Sequence, residues 1–168
     1  NGVLSRTAVR AGLHNLLTIR LNSKVEERIN KSITGSTGEV NPKQYLIGAL
    51  LRILGQPLGV GQGNNPTCQS ARGISMWSQH APAKLIHMVH SAAVHDDLSF
   101  RFEGSEIKYS ESALGLVQKL DHHLDAVSVT LVPMLDKIYN EMMRRASGRG
   151  EDPHKWVNPG LYGQWIQI

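Results

Sequence analysis

At 168 residues and 18.5 kDa, with 40% apolar, 19% charged and 5% aromatic side chains, the chain has the composition of one ordinary globular domain. Its 16 glycines and 7 prolines exclude a fibrous or low-complexity chain, and no run of apolar residues is long enough to span a membrane. One cysteine excludes an internal disulfide and a zinc site built mainly of thiolates. The formal charge of +4 is unevenly spread: residues 1–60 carry eight basic and three acidic side chains, residues 61–168 ten and eleven. A basic N-terminal third faces nucleic acid or an acidic partner, or simply solvates a helix face. No aromatic side chain interleaves the early basic residues, so the pattern for stacking single-stranded bases is absent. The chain begins Asn1-Gly-Val-Leu4 without a signal pattern and ends on the apolar Trp165-Ile-Gln-Ile168, as a fragment of a longer protein would. The lone thiol fits a reducing compartment, so a cytoplasmic location with no membrane partner is expected.

Residues 4–21 read as a helix with Leu13, Leu16, Leu17 and Leu21 on one face and Arg6 and Arg10 on another. A shorter charged helix follows at 23–33, and Thr34–Gly38 reads as a loop. Asn41-Pro42 opens the next helix with a capping residue and a proline at the first helical position; it runs to about Leu54. That helix is apolar almost all round and is expected at the buried centre. Residues 55–65 hold four glycines and read as an irregular loop. Asn65-Pro66 repeats the capping signature, which predicts a helix from Pro66 towards His80. Pro82 ends it, and a second helix covers 83–95. Leu98–Phe102, a turn at 103–105 and Glu106–Tyr109 predict one β-hairpin. Ser110 caps an expected helix at 111–123. The period of Leu124, Val127, Leu131, Leu135, Ile138 and Met142 predicts a last helix at 124–146 with a kink at Pro133. Residues 147–163 read as a Gly/Pro-rich loop with two Trp-containing turns. The expected fold class is α+β, predominantly α-helical with one short β-hairpin, in a single domain with a basic helical part at 1–60 and a cysteine part at 61–168.

The segment Gly61-Gln-Gly-Asn-Asn-Pro-Thr-Cys68 carries the most chemistry. With Asn65 as the cap, Cys68 stands at the third helical position, where the helix dipole and unpaired N–H groups favour a thiolate and hence a nucleophile. The glycines let the backbone approach a substrate and leave N–H groups for a developing oxyanion, with Gln62 as a side-chain donor. The alternative is a small cysteine packed in the core. Gln62, Gly63 and Cys68 together resemble the papain-like and transglutaminase-like cysteine enzymes; in the papain pattern a Gln-Gly pair precedes the nucleophile by the same interval. The match covers about a tenth of the chain, and Gln69 stands where the papain pattern has an aromatic. The resemblance implies a Cys-His pair with a third residue orienting the histidine, and acyl transfer to water or an amine.

A base must come within about 3 Å of the nucleophile. His80 is twelve residues along the same helix, roughly 18 Å away, and is a poor candidate. His95 returns towards Cys68 if the helices around Pro82 form an antiparallel pair, with Asp96 or Asp97 to orient it. His154, with Asn158 four residues on, is the other candidate. His87 and His90 share a helix face, and the His95-Asp96 and Asp121-His-His-Leu-Asp125 groups offer metal-ligand types. His95-Asp96 is similar to the paired ligands of metal-dependent phosphohydrolases, but a strand follows it here. Ser5–Leu13 has a faint similarity to a helix-turn-helix recognition element and lacks a helix before it. No phosphate loop, nucleophile elbow or dinucleotide fingerprint is present. The sequence therefore points first to a cofactor-free cysteine-nucleophile enzyme acting on an amide or ester of a peptide or protein. Its main alternative is a non-catalytic helical interaction module, and lesser ones are a metal-dependent hydrolase and a DNA-binding domain.

Overall fold

A computed structural model describes residues 2–33, 40–150 and 152–153. The N-terminal helix is shorter than its apolar run. After a 3-10 turn at Val3–Ser5, α1 spans Thr7–Thr18 and buries Val9 and Leu16, with Leu13 half-buried between them. Spacings of three and four put these on one face. Leu17 falls off that face and is 57% exposed, so the expected four-leucine stripe is narrower than the sequence suggested. The charged helix α2, Ser23–Ser32, is capped by Asn22, whose side chain accepts from the Lys24 N–H at 3.0 Å. The Asn22 N–H itself donates to the Ala93 carbonyl at 2.8 Å.

Asn41 caps α3, Pro42–Gly55, as its sequence signature requires: its side-chain oxygen accepts from the N–H groups of Lys43 and Gln44. Leu46, Ala49, Leu50, Ile53 and Leu54 are buried, whereas Gly48, Leu51 and Arg52 are exposed. The helix is therefore one-faced and does not form the buried centre. That position belongs to α6, Ala126–Ser147, which packs against α2, α3 and the two helices described next. At 22 residues, about 33 Å, α6 buries side chains on every side of its first three turns. Asp125 holds its start by accepting from the N–H groups of Val127 and Ser128 and from the Ser128 hydroxyl. The helix runs through Pro133.

Between them lie α4, Cys68–His80, and α5, Pro82–His95, joined at Ala81. Pro82 does end the first helix, but as the first residue of the second, where its missing N–H costs nothing. Asp96 closes α5 in the left-handed region (φ 51°, ψ 33°) and pairs with Arg28 of α2. The hairpin follows as expected. Strands β1, Ser99–Phe102, and β2, Ser105–Lys108, are antiparallel with Phe100 opposite Ile107. Glu103 and Gly104 both take positive φ (51° and 82°), the backbone that a two-residue hairpin loop with matching twist requires. Phe100, Phe102 and Ile107 point into the core, where Trp77 is fully buried with its ring centroid 5.8 Å from that of Phe100.

The helix expected at 111–123 does not form. After a 3-10 turn at Tyr109–Glu111 the chain runs irregularly to Asp125. Several of its backbone groups bond to side chains of other elements. The Leu114 carbonyl accepts from Asn140 at 2.6 Å, and the Val117 N–H donates to Asp136 at 2.9 Å. Ser110 does not cap a helix; it donates its N–H and hydroxyl to Asp97 at 3.0 and 2.6 Å. The loop expected at Thr34–Gly38 and most of the C-terminal loop, with His154 and Asn158, lie outside the described residues.

Candidate functional site around Cys68

The chain enters α4 through a turn at Pro66, in which the Thr67 N–H donates to the Asn65 carbonyl at 2.8 Å. The helix begins at Cys68, two residues later than the sequence suggests. Cys68 is the first helical residue rather than the third, and Thr67, not Asn65, occupies the cap position. Asn65 is drawn elsewhere. Its side-chain oxygen accepts from the Asp121 N–H at 2.9 Å, and its amide donates to the carbonyls of Gln62 (2.8 Å) and Asp121 (3.4 Å). With Asn65 so engaged, no side chain among the described residues caps α4.

Two consequences meet at this helix end. The first-turn N–H groups of Cys68, Gln69 and Ser70 have no carbonyl of their own helix to bond. The Thr67 hydroxyl, on a residue only 1% exposed, is buried without a hydrogen-bond partner. Cys68 is exposed, which excludes the packed core cysteine that the sequence left open, and its thiol contacts the Gln69 side-chain oxygen at 3.4 Å. Gln62 is half-buried, and its amide donates to the Asn65 carbonyl at 3.2 Å within the loop.

The partner segment is the irregular chain at 121–125. The Asp121 carboxylate accepts from the Asn64 N–H at 2.9 Å, from the His123 N–H at 3.0 Å, and faces His123 Nδ1 at 2.8 Å. These bonds, that from Asn64 foremost, hold its pKa at about 2 against an ordinary 3.8. Gly63 is required for this close approach. It has φ 58°, and a Cβ there would stand 2.8 Å from Asp121 Oδ2. A His–Asp pair thus sits against the loop that delivers Cys68. Sequence reasoning weighed Asp121, His122 and His123 only as metal ligands or surface residues. The signal that could have found the pair is Asp-x-His outside a helix, where an aspartate bonds the N–H two residues on; the expected 111–123 helix hid it.

His95 is exposed at the end of α5. It borders a depression shared with Asn22, Lys24, Asp97, Tyr109, Ser110 and Lys137, not with Cys68. Asp97 is lowered in pKa. Burial opposes this, but the hydroxyl and N–H of Ser110 and the Leu98 N–H outweigh it, so this carboxylate is engaged by Ser110 rather than by His95. His87 is exposed and His90 half-buried on α5. Among the described residues no three metal-ligating side chains converge. None of the described helices is long and apolar enough to cross a membrane. Compared with known proteins, the chain matches no family model, no curated protein and no solved structure. The resemblance to papain-like and transglutaminase-like enzymes rests on Gln62, Gly63 and Cys68 alone.

Proposed function

We propose that the protein is a cysteine-nucleophile enzyme of the amide- or ester-cleaving, acyl-transferring kind, with Cys68 as nucleophile. The observation that carries this reading is the position of an exposed thiol on the first residue of an uncapped helix, beside a buried hydroxyl without a partner. The first-turn N–H groups of α4, which have no carbonyl of their own helix to bond, support this reading as donors for a tetrahedral oxyanion. In the reaction the base takes the Cys68 thiol proton, the thiolate attacks the carbonyl carbon, and the carbonyl oxygen takes the negative charge. The intermediate expels an amine or alcohol, which takes a proton from the base. Water or a second amine then releases the acyl group from the thioester.

The base in this reading is His123, because Asp121 at Nδ1 leaves Nε2 as the nitrogen that exchanges protons. His95 is the competing candidate, and His154 the further one that the sequence offers. Iodoacetamide alkylation reads Cys68 directly, since it is the only thiol. Cys68 is expected to alkylate faster at neutral pH in the folded protein than in the urea-unfolded chain. His123→Ala is expected to slow alkylation at neutral pH while His95→Ala leaves it unchanged. Alkylation no faster in the folded protein than in the unfolded chain overturns the nucleophile reading, and the reverse order of the two variants reassigns the base.

One observation favours a second reading, a helical interaction module for an acidic partner. The basic α1 surface carries Arg6 and Arg10 together with exposed Leu4 and Leu17, 51% and 57% exposed. If the partner is nucleic acid, binding to duplex DNA falls steeply with salt and Arg6→Glu with Arg10→Glu abolishes it. Absence of salt-sensitive binding by the unmodified protein removes the nucleic-acid form of this reading.

A further inference from the structure

A groove of about 590 Å³ runs along the exposed side of α3, between it, the end of α2 and the segment His123–Asp125. This volume is in the range of small-molecule sites. Gln44, Gly48 and Arg52 stand at successive turns of α3 and line it. Gly48 is the unexpected member. Glycine inside a helix is unfavourable relative to alanine, and nothing in the packing asks for it here: a Cβ at Gly48 would meet no atom within 4 Å. Residues that break a local rule without a packing gain mark function. What the missing side chain provides is open floor in the groove.

The walls are chemically mixed. Tyr45, Ala49 and Leu124 supply apolar surface, and Arg52 stands at the far end of the α3 row. Among the described residues the Arg52 guanidinium has no carboxylate or other hydrogen-bond partner. The acidic residue on the wall, Asp125, turns both oxygens onto the start of α6, and Asp121 behind His123 is bonded to Asn64 and His123. Asp125 keeps its charge, but both its oxygens are occupied by donors of α6, whereas the Arg52 donors are left open to a ligand in the groove.

We propose that this groove binds a small organic oxyanion, a carboxylate or phosphate carried on a flat apolar body. The head group pairs with the planar donor fork of Arg52. The body lies over Gly48 against Tyr45 and Leu124. His123, the base of the proposed reaction, also lines this groove, but binding here is measured without any reaction at Cys68, so this proposal stands or falls apart from the enzyme reading.

The test is a titration of the isotope-labelled full chain with phenyl phosphate, benzoate and the neutral benzamide, followed by amide chemical shifts. Both anions are expected to move the signals of Gly48, Arg52 and Leu124 at concentrations up to about 10 mM, the weak end of ligand affinity. Benzamide is expected to bind at least tenfold more weakly. Arg52→Ala is expected to weaken the better anion at least tenfold. Gly48→Leu fills the floor and abolishes binding while leaving the remaining amide spectrum dispersed. Gly48→Ala, which suits a helix better, is expected to raise the melting temperature while weakening binding. The preferred anion identifies the head group as phosphate or carboxylate. Absence of shifts at these residues with both anions overturns the proposal. So does anion binding that is indifferent to Arg52→Ala and Gly48→Leu, which places any binding elsewhere, or benzamide binding as tight as the anions.

Discussion

At the residue scale, the cysteine loop is governed by which partner each polar side chain finds. Asn65 has the identity of a helix cap but bonds to Asp121, fifty-six residues away, and its loss as a cap is what leaves the start of α4 open. Gly63 is the hinge of that arrangement. Gly63→Ala forces a side chain into a left-handed backbone and against the Asp121 carboxylate, with a cost of about 1–2 kcal/mol from the backbone alone. Urea unfolding is expected to register that loss, and the Cys68 alkylation rate to change with it. Cys68→Ala is expected to leave stability within about 0.5 kcal/mol, because the side chain is exposed. Loss of activity without loss of stability is what the nucleophile reading requires. The residue types at 62–68 were legible in the sequence as a special segment. Their bonding was not, because a cap signature is local and the competing partner is remote.

At the scale of elements, all six helices and the hairpin were legible, from the apolar periods of α1 and α6 and from punctuation at Asn41-Pro42, Pro82 and the turn at 103–105, while a seventh expected helix at 111–123 does not form. The exceptions share one cause. The 111–123 helix was inferred from a capping serine and scattered apolar residues, but Asp97, Asp136 and Asn140 compete for that backbone and win. The buried centre was misplaced on α3 because its apolar residues outnumber those of any other early helix, whereas burial is set by which helix has neighbours on all sides. Packing between α4 and α6 is the tightest test of that centre. A Cβ at Gly73 would lie 2.8 Å from the Tyr139 hydroxyl oxygen and 3.1 Å from the Trp77 ring. Gly73→Ala is therefore expected to destabilise by about 1–3 kcal/mol, and Trp77→Ala by about 3–5 kcal/mol, both read by denaturant unfolding.

At the scale of the whole molecule, the acid limb of stability has identifiable owners. Glu141 is held at about 2 against 4.5, chiefly by Arg144 and then Arg145, and Asp121 is held at about 2 by its N–H donors. Both are lowered by folding, so each contributes stability that is present in full above its unfolded value. That contribution is lost as pH falls from about 4.5 to about 2. Asp136 opposes them: burial raises its pKa, so its contribution is present below its ordinary 3.8 and is lost as pH rises above that value. Unfolding midpoints measured from pH 7 to pH 2 are expected to fall across this window. Glu141→Gln is expected to make the fall shallower and to leave the pH 2 value unchanged. An identical slope in the variant would remove Glu141 from the account.

The bonds from Asn64 and Asn65 to Asp121 have a further consequence in time rather than in energy. The amide protons of Asn64 and Asp121 lie outside any helix or strand, yet each is bonded to a side chain that the other, remote segment supplies. Exchange of such protons with solvent deuterium requires the two strips of chain to part together. They are expected to exchange slowly and at a common rate, as one cooperative opening unit. Each opening would release the turn at Pro66 and the exposed sulfur beyond it, so the motion that admits deuterium at Asn64 would also set how often Cys68 changes its surroundings.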